Sequence, residues 1–327
     1  MQMTPIDPSS HLTDRFRGCL LGHALGDGLG APFEGLSNET LYRSYGSARK
    51  VFTAPPVELL MYTDDTEMST SVAECLVELG RIDADDLAGR FHRNFNPLRG
   101  YGPGMHKIAE AMNLGQDWRA VVETIFPGGS LGNGAAMRVA SVGLFFHPDL
   151  DRVASEAAAS AMITHLHPIG IDGAVMLATA VALILRLNGP FDRHAFLTEL
   201  SRRATTEEFE WQLRTAAKLT SEDTLDFGNS LEAHRSVTSA ILCFAFWPDS
   251  YQGAVARAIG LGNDTDTLAA MAGALSGAHL GYSALPAASL KLLEEGPRGK
   301  SYIDQLARRL ATRFLDEKAV LHNVNLW

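Results

Sequence analysis

Gly18, Gly22, Gly26 and Gly30 fall one every four residues, and no other feature limits the fold as tightly. Four residues is close to one helical turn, so the spacing predicts a helix with a bare stripe along one side. In a bilayer such a stripe favours helix dimerisation. In a protein core it lets a second helix come unusually close, which is the stronger reading here. The Ala- and Gly-rich stretch from Ala269 to Ala278 reads the same way.

The rest of the chain is also patterned for helices. Ala, Leu, Glu and Arg are abundant, and alternating β-branched runs are few. Leu87, Phe91 and Phe95 recur every four residues behind Asp83, a candidate N-cap. Ile303, Leu306, Leu310 and Phe314 repeat at helical spacing near the C-terminus. Further helices are predicted over about 14–28, 66–80, 132–146, 150–165, 169–187, 229–247, 251–261 and 267–281. Lys50 to Thr53 is a candidate short strand, but nothing suggests a sheet, so the expected class is all-α. No linker or charge run divides the chain. The expected organisation is a flexible N-terminus over 1–12 and a single compact helical domain over 13–327, with Glu207 to Asp226 as a polar surface insertion.

The formal net charge of −10 excludes a nucleic-acid-binding body, which needs clustered Lys and Arg. An acidic protein that binds a phosphorylated ligand must use backbone amides or metal ions. Cys19, Cys75 and Cys243 show no paired spacing and read as reduced, buried residues of a reducing compartment. Met1 to Asp14 carries no secretory pattern, and the apolar run from Gly173 stops at Arg186, short of a membrane span. A soluble, cytoplasmic protein without a membrane partner is expected.

Two acidic segments resemble each other: Tyr62-Thr63-Asp64-Asp65-Thr66 and Gly262-Asn263-Asp264-Thr265-Asp266-Thr267. Each precedes a helix rich in small residues. Either alone is an ordinary N-terminal cap, because Thr and Asp suit that position. Together they supply four carboxylates with no adjacent Lys or Arg, a strongly repulsive group unless cations neutralise it. Hard oxygen ligands favour Mg²⁺, Mn²⁺ or Ca²⁺ over zinc. Should the fold bring the segments together, a two-ion site follows.

Two glycine-rich segments, Arg99-Gly100-Tyr101-Gly102-Pro103-Gly104 and Gly128-Gly129-Ser130-Leu131-Gly132-Asn133-Gly134, lead into helices. Such loops expose N–H groups that can hold a phosphate without a positive side chain, although each alone is also ordinary turn chemistry. Neither fits a Walker loop or a dinucleotide fingerprint. His165 and His167 lack a third soft ligand, so His165 is read either as ligand-facing or as packing. Glu34 lies beyond a Gly- and Pro-broken helix end, either as a surface acid or as a carboxylate free to swing.

The ordered set of these motifs resembles the ADP-ribosylglycohydrolase family. The matching stretches are Arg17-Gly18-Cys19 through Gly26-Asp27 to Glu34, Tyr62 to Thr66, Arg99-Gly100-Tyr101-Gly102, Gly132 to Arg138, Thr164-His165 and Gly262 to Thr267. The resemblance implies a compact all-helical fold with a binuclear metal cleft. It implies Thr63, Asp64, Asp65, Asp264, Asp266 and Thr267 as ligands of two divalent cations, Mg²⁺ first and Mn²⁺ second. Gly100, Gly102, Ser130, Leu131, Gly132, Asn133 and His165 would bind the ligand, and Glu34 would act at the scissile centre. The implied reaction frees ADP-ribose from an ADP-ribosylated protein or small ADP-ribosyl substrate, with serine O-linkage and arginine N-linkage both open. Two features depart from the family pattern: Leu131 stands where the serine-directed branch has tyrosine, and Asn263 where glycine is more usual. The competing readings are a non-catalytic ADP-ribose binder and a metal-dependent nucleotide phosphohydrolase.

Overall fold

The computed structural model describes residues 8–221 and 227–324. Its helices are α1 (Pro8–Gly30), α2 (Asn38–Tyr45), α3 (Asp64–Leu79), α4 (Ala84–Asn94), α5 (Pro103–Asn113), α6 (Trp118–Ile125), α7 (Ala140–Phe146) and α8 (Leu150–Ala161). They continue with α9 (Pro168–Leu185), α10 (Arg193–Arg203), α11 (Glu207–Ala217), α12 (Ala233–Phe246), α13 (Tyr251–Gly260), α14 (Thr265–Leu280), α15 (Ala287–Leu290) and α16 (Lys300–Val324). Among the described residues there is no β-strand, only isolated bridges joining Ser37 to Gly262, Leu60 to Leu293 and Gly132 to Glu232.

The glycine stripe explains the centre of the fold. A methyl on Gly18 would overlap Gly277 O, one on Gly22 would overlap Gly273 O, one on Gly26 would overlap Ala269 O, and one on Gly30 would overlap Thr265 O. Each step of four along α1 matches a step of four back along α14, so the two helices run antiparallel, backbone against backbone. The end of α1 thereby meets the start of α14. Helices α9, α12, α13 and α16 pack around this pair. Of the 18 residues in α9, 78% are buried inside the protein. By length and composition this helix would suit a membrane span, which the apolar run from Gly173 did not suggest; in the fold it is a core helix.

Four sequence expectations are corrected. Helix α1 reaches back to Pro8, because Leu12 packs one turn before the buried Phe16 and extends the apolar face; residues 1–7 of the expected flexible segment lie outside the described residues. Ala48–Phe52 is a 3₁₀ turn capped by Ser47, whose Oγ accepts from Arg49 N, rather than a strand. Most of the expected insertion is α11, whose Phe209, Leu213 and Ala216 are fully buried, while 222–226 lie outside the described residues. The helix expected over 132–146 is broken between a 3₁₀ turn at Asn133–Ala135 and α7, and there the Gly134 carbonyl accepts from the Arg138 side chain (3.0 Å).

Candidate active site

The first acidic segment is positioned by side chains. Thr63 is the N-cap of α3. Asp27, fully buried on α1, accepts from Thr63 N (3.0 Å), Thr66 N (3.1 Å) and Thr66 Oγ1 (2.6 Å). On the other side Arg99 pairs with Glu294 (2.5 Å) and donates to Tyr62 O (2.6 Å), while Tyr62 N donates to Glu294 (2.9 Å). Gly100, left-handed at φ 87°, lets this loop pass Asp64, whose Oδ1 would lie 3.8 Å from a methyl there.

The second segment is positioned mainly against backbone, that of α1 and of the Glu34 loop. Thr265 Oγ1 donates to Gly30 O (2.9 Å), Gly35 N donates to Asn263 O (2.8 Å), and Asn263 N donates to Leu36 O (2.6 Å). Asn263 is left-handed at φ 60°, a conformation asparagine tolerates, and its amide donates to Asn229 O (3.2 Å). The departure from glycine is therefore accommodated without disturbing the turn.

The close pairing of α1 and α14 brings the segments together across two hundred residues of chain. Thr267 Oγ1 reaches Asp65 Oδ2 (3.4 Å), as does Thr63 Oγ1 (3.2 Å). Burial and then the charge on Asp27 push the Asp64 carboxyl up to about 8. Burial and the same neighbour push Asp65 well above its ordinary value. Asp266 is raised by burial and then by Asp264, and Asp264 is raised by burial. Asp65 Oδ1 and Asp266 Oδ1 are buried without a hydrogen-bond donor. Among the described residues, no three His, Cys, Asp or Glu side chains already surround a single ion position.

Glu34 follows the 3₁₀ turn Ala31–Phe33, so its loop setting is as expected. Its backbone is fixed on both sides, by Leu36 N donating to Phe33 O (3.0 Å) and by the bridge from Ser37 to Gly262. Partial burial and then the Asp264 charge raise its carboxyl above the usual value. With Gly35, Asn229, Ser230, Leu231, Asn263 and Asp264 it lines an open cleft of about 460 Å³.

The second glycine loop enters the same site. Asn133 donates to Asp264 Oδ2 (2.5 Å), and Ser130 Oγ accepts from Gly132 N (3.3 Å). Both side chains are thus engaged within the protein. Leu131 pairs its backbone with Ala233 N (3.0 Å), leaving a half-buried aliphatic side chain. His165 is buried with its ring against Gly132 and Gly134, and burial followed by the charge of Arg138 lowers it to about 3, a neutral imidazole. His167 instead caps α9, its Nδ1 accepting from Ile169 N (3.1 Å). Gly102 starts α5 without a side-chain cap and with open space around it.

Sequence reasoning assigned no role to Asp27, Glu294 or Asn229. Asp27 carried a signal, an acid inside an otherwise apolar, glycine-striped helix. Glu294 and Asn229 carried none, since each matters only through a distant partner.

A sequence model of the ADP-ribosylglycohydrolase family matches residues 8–319. The chain belongs to this family. As an ADP-ribosylglycohydrolase it is an enzyme that hydrolyses a glycosidic bond. It is similar to ADP-ribosylhydrolase ARH3 of Homo sapiens, 33% identical over 319 residues that cover 83% of this chain and 87% of that one. It is also similar to the ADP-ribosyl-[dinitrogen reductase] glycohydrolase of Rhodospirillum rubrum, 29% identical over 302 residues, covering 88% and 92%. A solved structure described as an ADP-ribosylglycohydrolase-related protein complex matches with a TM-score of 0.72 at 26% identity, covering 93% of this chain and 99% of that one.

Proposed function

We propose that this ADP-ribosylglycohydrolase releases free ADP-ribose from a serine O-linked or arginine N-linked side chain, using two divalent cations, Mg²⁺ before Mn²⁺. The supporting observation is the convergence of two acidic segments whose Asp65 Oδ1 and Asp266 Oδ1 are buried without donors. Oxygen atoms left bare beside mutually repelling carboxylates suit hard cations. Thr63, Asp64, Asp65, Asp264, Asp266 and Thr267 would hold them. When bound, such ions supply orientation of the ribose hydroxyls and acidification of a water.

The protein's own groups provide the rest. The Ser130 and Leu131 amides and the uncapped start of α5 at Gly102 would offer N–H groups to a diphosphate, which suits a chain of net charge −10. Glu34, beside Asp264 and on the cleft wall, would move a proton at the anomeric centre. Hydrolysis adds water oxygen to C1 and returns a proton to the departing oxygen or nitrogen. The buried thiols of Cys19, Cys75 and Cys243 agree with a cytoplasmic setting.

Serine- and arginine-linked ADP-ribosyl peptides incubated with Mg²⁺ and with EDTA test the reading. Free ADP-ribose and unmodified peptide are expected with Mg²⁺ alone. AMP would mark a phosphohydrolase, and binding without product a non-catalytic receptor. In the same assay Glu34→Gln is expected to lower turnover about a hundredfold with ADP-ribose affinity nearly unchanged. Lost affinity with intact turnover would make Glu34 a binding residue.

A further inference from the structure

Behind the second glycine loop lies a polar chain that the reaction above does not use. Arg138 is fully buried, its guanidinium 4.7 Å from the centre of the Phe91 ring. It donates to Gly134 O (3.0 Å), Ser160 O (2.8 Å) and Thr164 Oγ1 (2.9 Å). Thr164 Oγ1 in turn lies 2.7 Å from His165 Nδ1. Burial lowers Arg138 only to about 9, so it stays a cation at neutral pH.

The direction of these bonds follows from what each group carries. An arginine N–H always donates, so Thr164 Oγ1 accepts from Arg138. The hydroxyl keeps one proton of its own. Among the hydrogen bonds of the described residues, His165 Nδ1 is the single acceptor within its reach. Donation from His165 Nδ1 instead would place a second N–H on an oxygen already facing a guanidinium and strand the hydroxyl proton. The consistent arrangement runs from Arg138 to Thr164 to His165, and it leaves the imidazole proton on Nε2.

That nitrogen faces the glycine loop. A methyl on Gly134 would stand 3.4 Å from His165 Nε2, and one on Gly132 would stand 3.5 Å away. Gly170 closes on the other edge of the ring, where a methyl would stand 3.2 Å from Cδ2. The ring is therefore held between glycines that have no side chain to cover Nε2. His165 is buried, and among the hydrogen bonds of the described residues none is made by its Nε2.

We propose that Arg138 and Thr164 are positioning residues that fix His165 as the Nε2–H tautomer, so that it presents a neutral N–H donor to an anionic phosphate oxygen at the Gly132–Gly134 loop. The identity of the anion as the diphosphate of ADP-ribose rests on the function proposed above. The bond order in the ligand-free protein does not. A neutral donor fits this site because no carboxylate must neutralise it, and it adds no charge that would repel the nearby cations. The buried cation stays one residue behind, where it sets the tautomer without touching the ligand.

Full-length protein labelled with ¹⁵N-histidine decides the matter. The His165 resonances are assigned by their loss in His165→Gln. The free wild-type protein is expected to show an unprotonated Nδ1 and a protonated Nε2. ADP-ribose added with Mg²⁺ is expected to shift Nε2 and leave the tautomer unchanged. Thr164→Val is expected to lose the single tautomer and to bind ADP-ribose about tenfold more weakly, the value of one hydrogen bond to a charged group, while Thr164→Ser restores both. A proton on Nδ1 in the wild type overturns the proposal. So does an Nε2 resonance that ignores bound ADP-ribose, or a tautomer that survives in Thr164→Val. Wild-type protein that binds no ADP-ribose would strike the functional reading and the donor role, while the tautomer would still report on the Arg138–Thr164 relay.

Discussion

The two acidic segments, Thr63-Asp64-Asp65-Thr66 and Asp264-Thr265-Asp266-Thr267, are alike in residue type and held by different contacts. The first hangs from side chains: Asp27 gathers the amides of Thr63 and Thr66, and the Arg99–Glu294 pair fixes Tyr62. The second rests on backbone contact: Gly30 against Thr265, and Ser37 bridged to Gly262. A polar substitution should therefore loosen the first, and a single methyl the second. Rigid supports of either kind serve one purpose, which is to hold mutually repelling carboxylates together before any cation arrives.

Burial of these carboxylates, and after it their repulsion, gives the largest expected effect. Asp64 is raised from 3.8 to about 8 in the fold, so between those values the folded protein holds protons that the unfolded chain has lost. The metal-free protein should thus lose stability as pH rises from about 4 to about 8, on the order of several kcal/mol across the coupled carboxylates. Urea unfolding in EDTA at pH 5 and pH 8 measures the slope, and Mg²⁺ should flatten it. A metal-free protein more stable at pH 8 would show that burial and mutual repulsion do not raise these carboxylates as described.

Gly30→Ala comes next. Its methyl would overlap Thr265 O, and α1 and α14 have no room to part, so a loss of about 3 kcal/mol is expected from urea unfolding. An unchanged midpoint would mean that the second segment does not depend on this contact. For the first segment, Thr66→Val deletes the 2.6 Å bond to Asp27 while keeping the volume, and about 2 kcal/mol should be lost. Thr66→Ser should recover most of it; a serine variant as weak as valine would point to packing instead. The smallest effect is expected at Asn229, whose amide donates to Gly262 O and to Asp264 O (3.2 Å) on the cleft wall. Water from the cleft can replace it, so Asn229→Ala should cost about 1 kcal/mol. A loss as large as that of Gly30→Ala would make side-chain support of the second segment equal to its backbone support.

The helical class was legible because its signals are local. The periodicity of Leu87 and Phe91, the caps at Asp83 and Thr63 and the stripe from Gly18 to Gly30 act within a few turns. The strand expected at Lys50 to Thr53 failed because four residues carry no period of their own, and Ser47 captured the Arg49 amide first. The single helix expected over 132–146 is interrupted where Arg138 turns inward and its guanidinium takes the Gly134 carbonyl, Ser160 O and Thr164 Oγ1, partners that the local pattern does not reveal. The same holds for Asn133 itself, whose side chain engages Asp264 across 131 residues of chain.

The sequence alone determined the all-α class, the close-packing face of α1, the two acidic segments, the glycine loops and, through their joint order, the resemblance to a family of hydrolases. These are properties of residue type and short spacing, and they do not depend on where the chain turns. Only the tertiary structure decided that α14 is the partner of that glycine face, that the pairing runs antiparallel, and that it lays Asp27 beside Asp65 and Asp266. It also decided that the loop carrying Glu34 is hydrogen-bonded to the second acidic segment, through Gly35 N to Asn263 O and the bridge from Ser37 to Gly262. The physical reason is the range of the forces. Helix formation is settled within a few residues, whereas desolvation, charge repulsion and backbone contact arise only when distant segments share one volume.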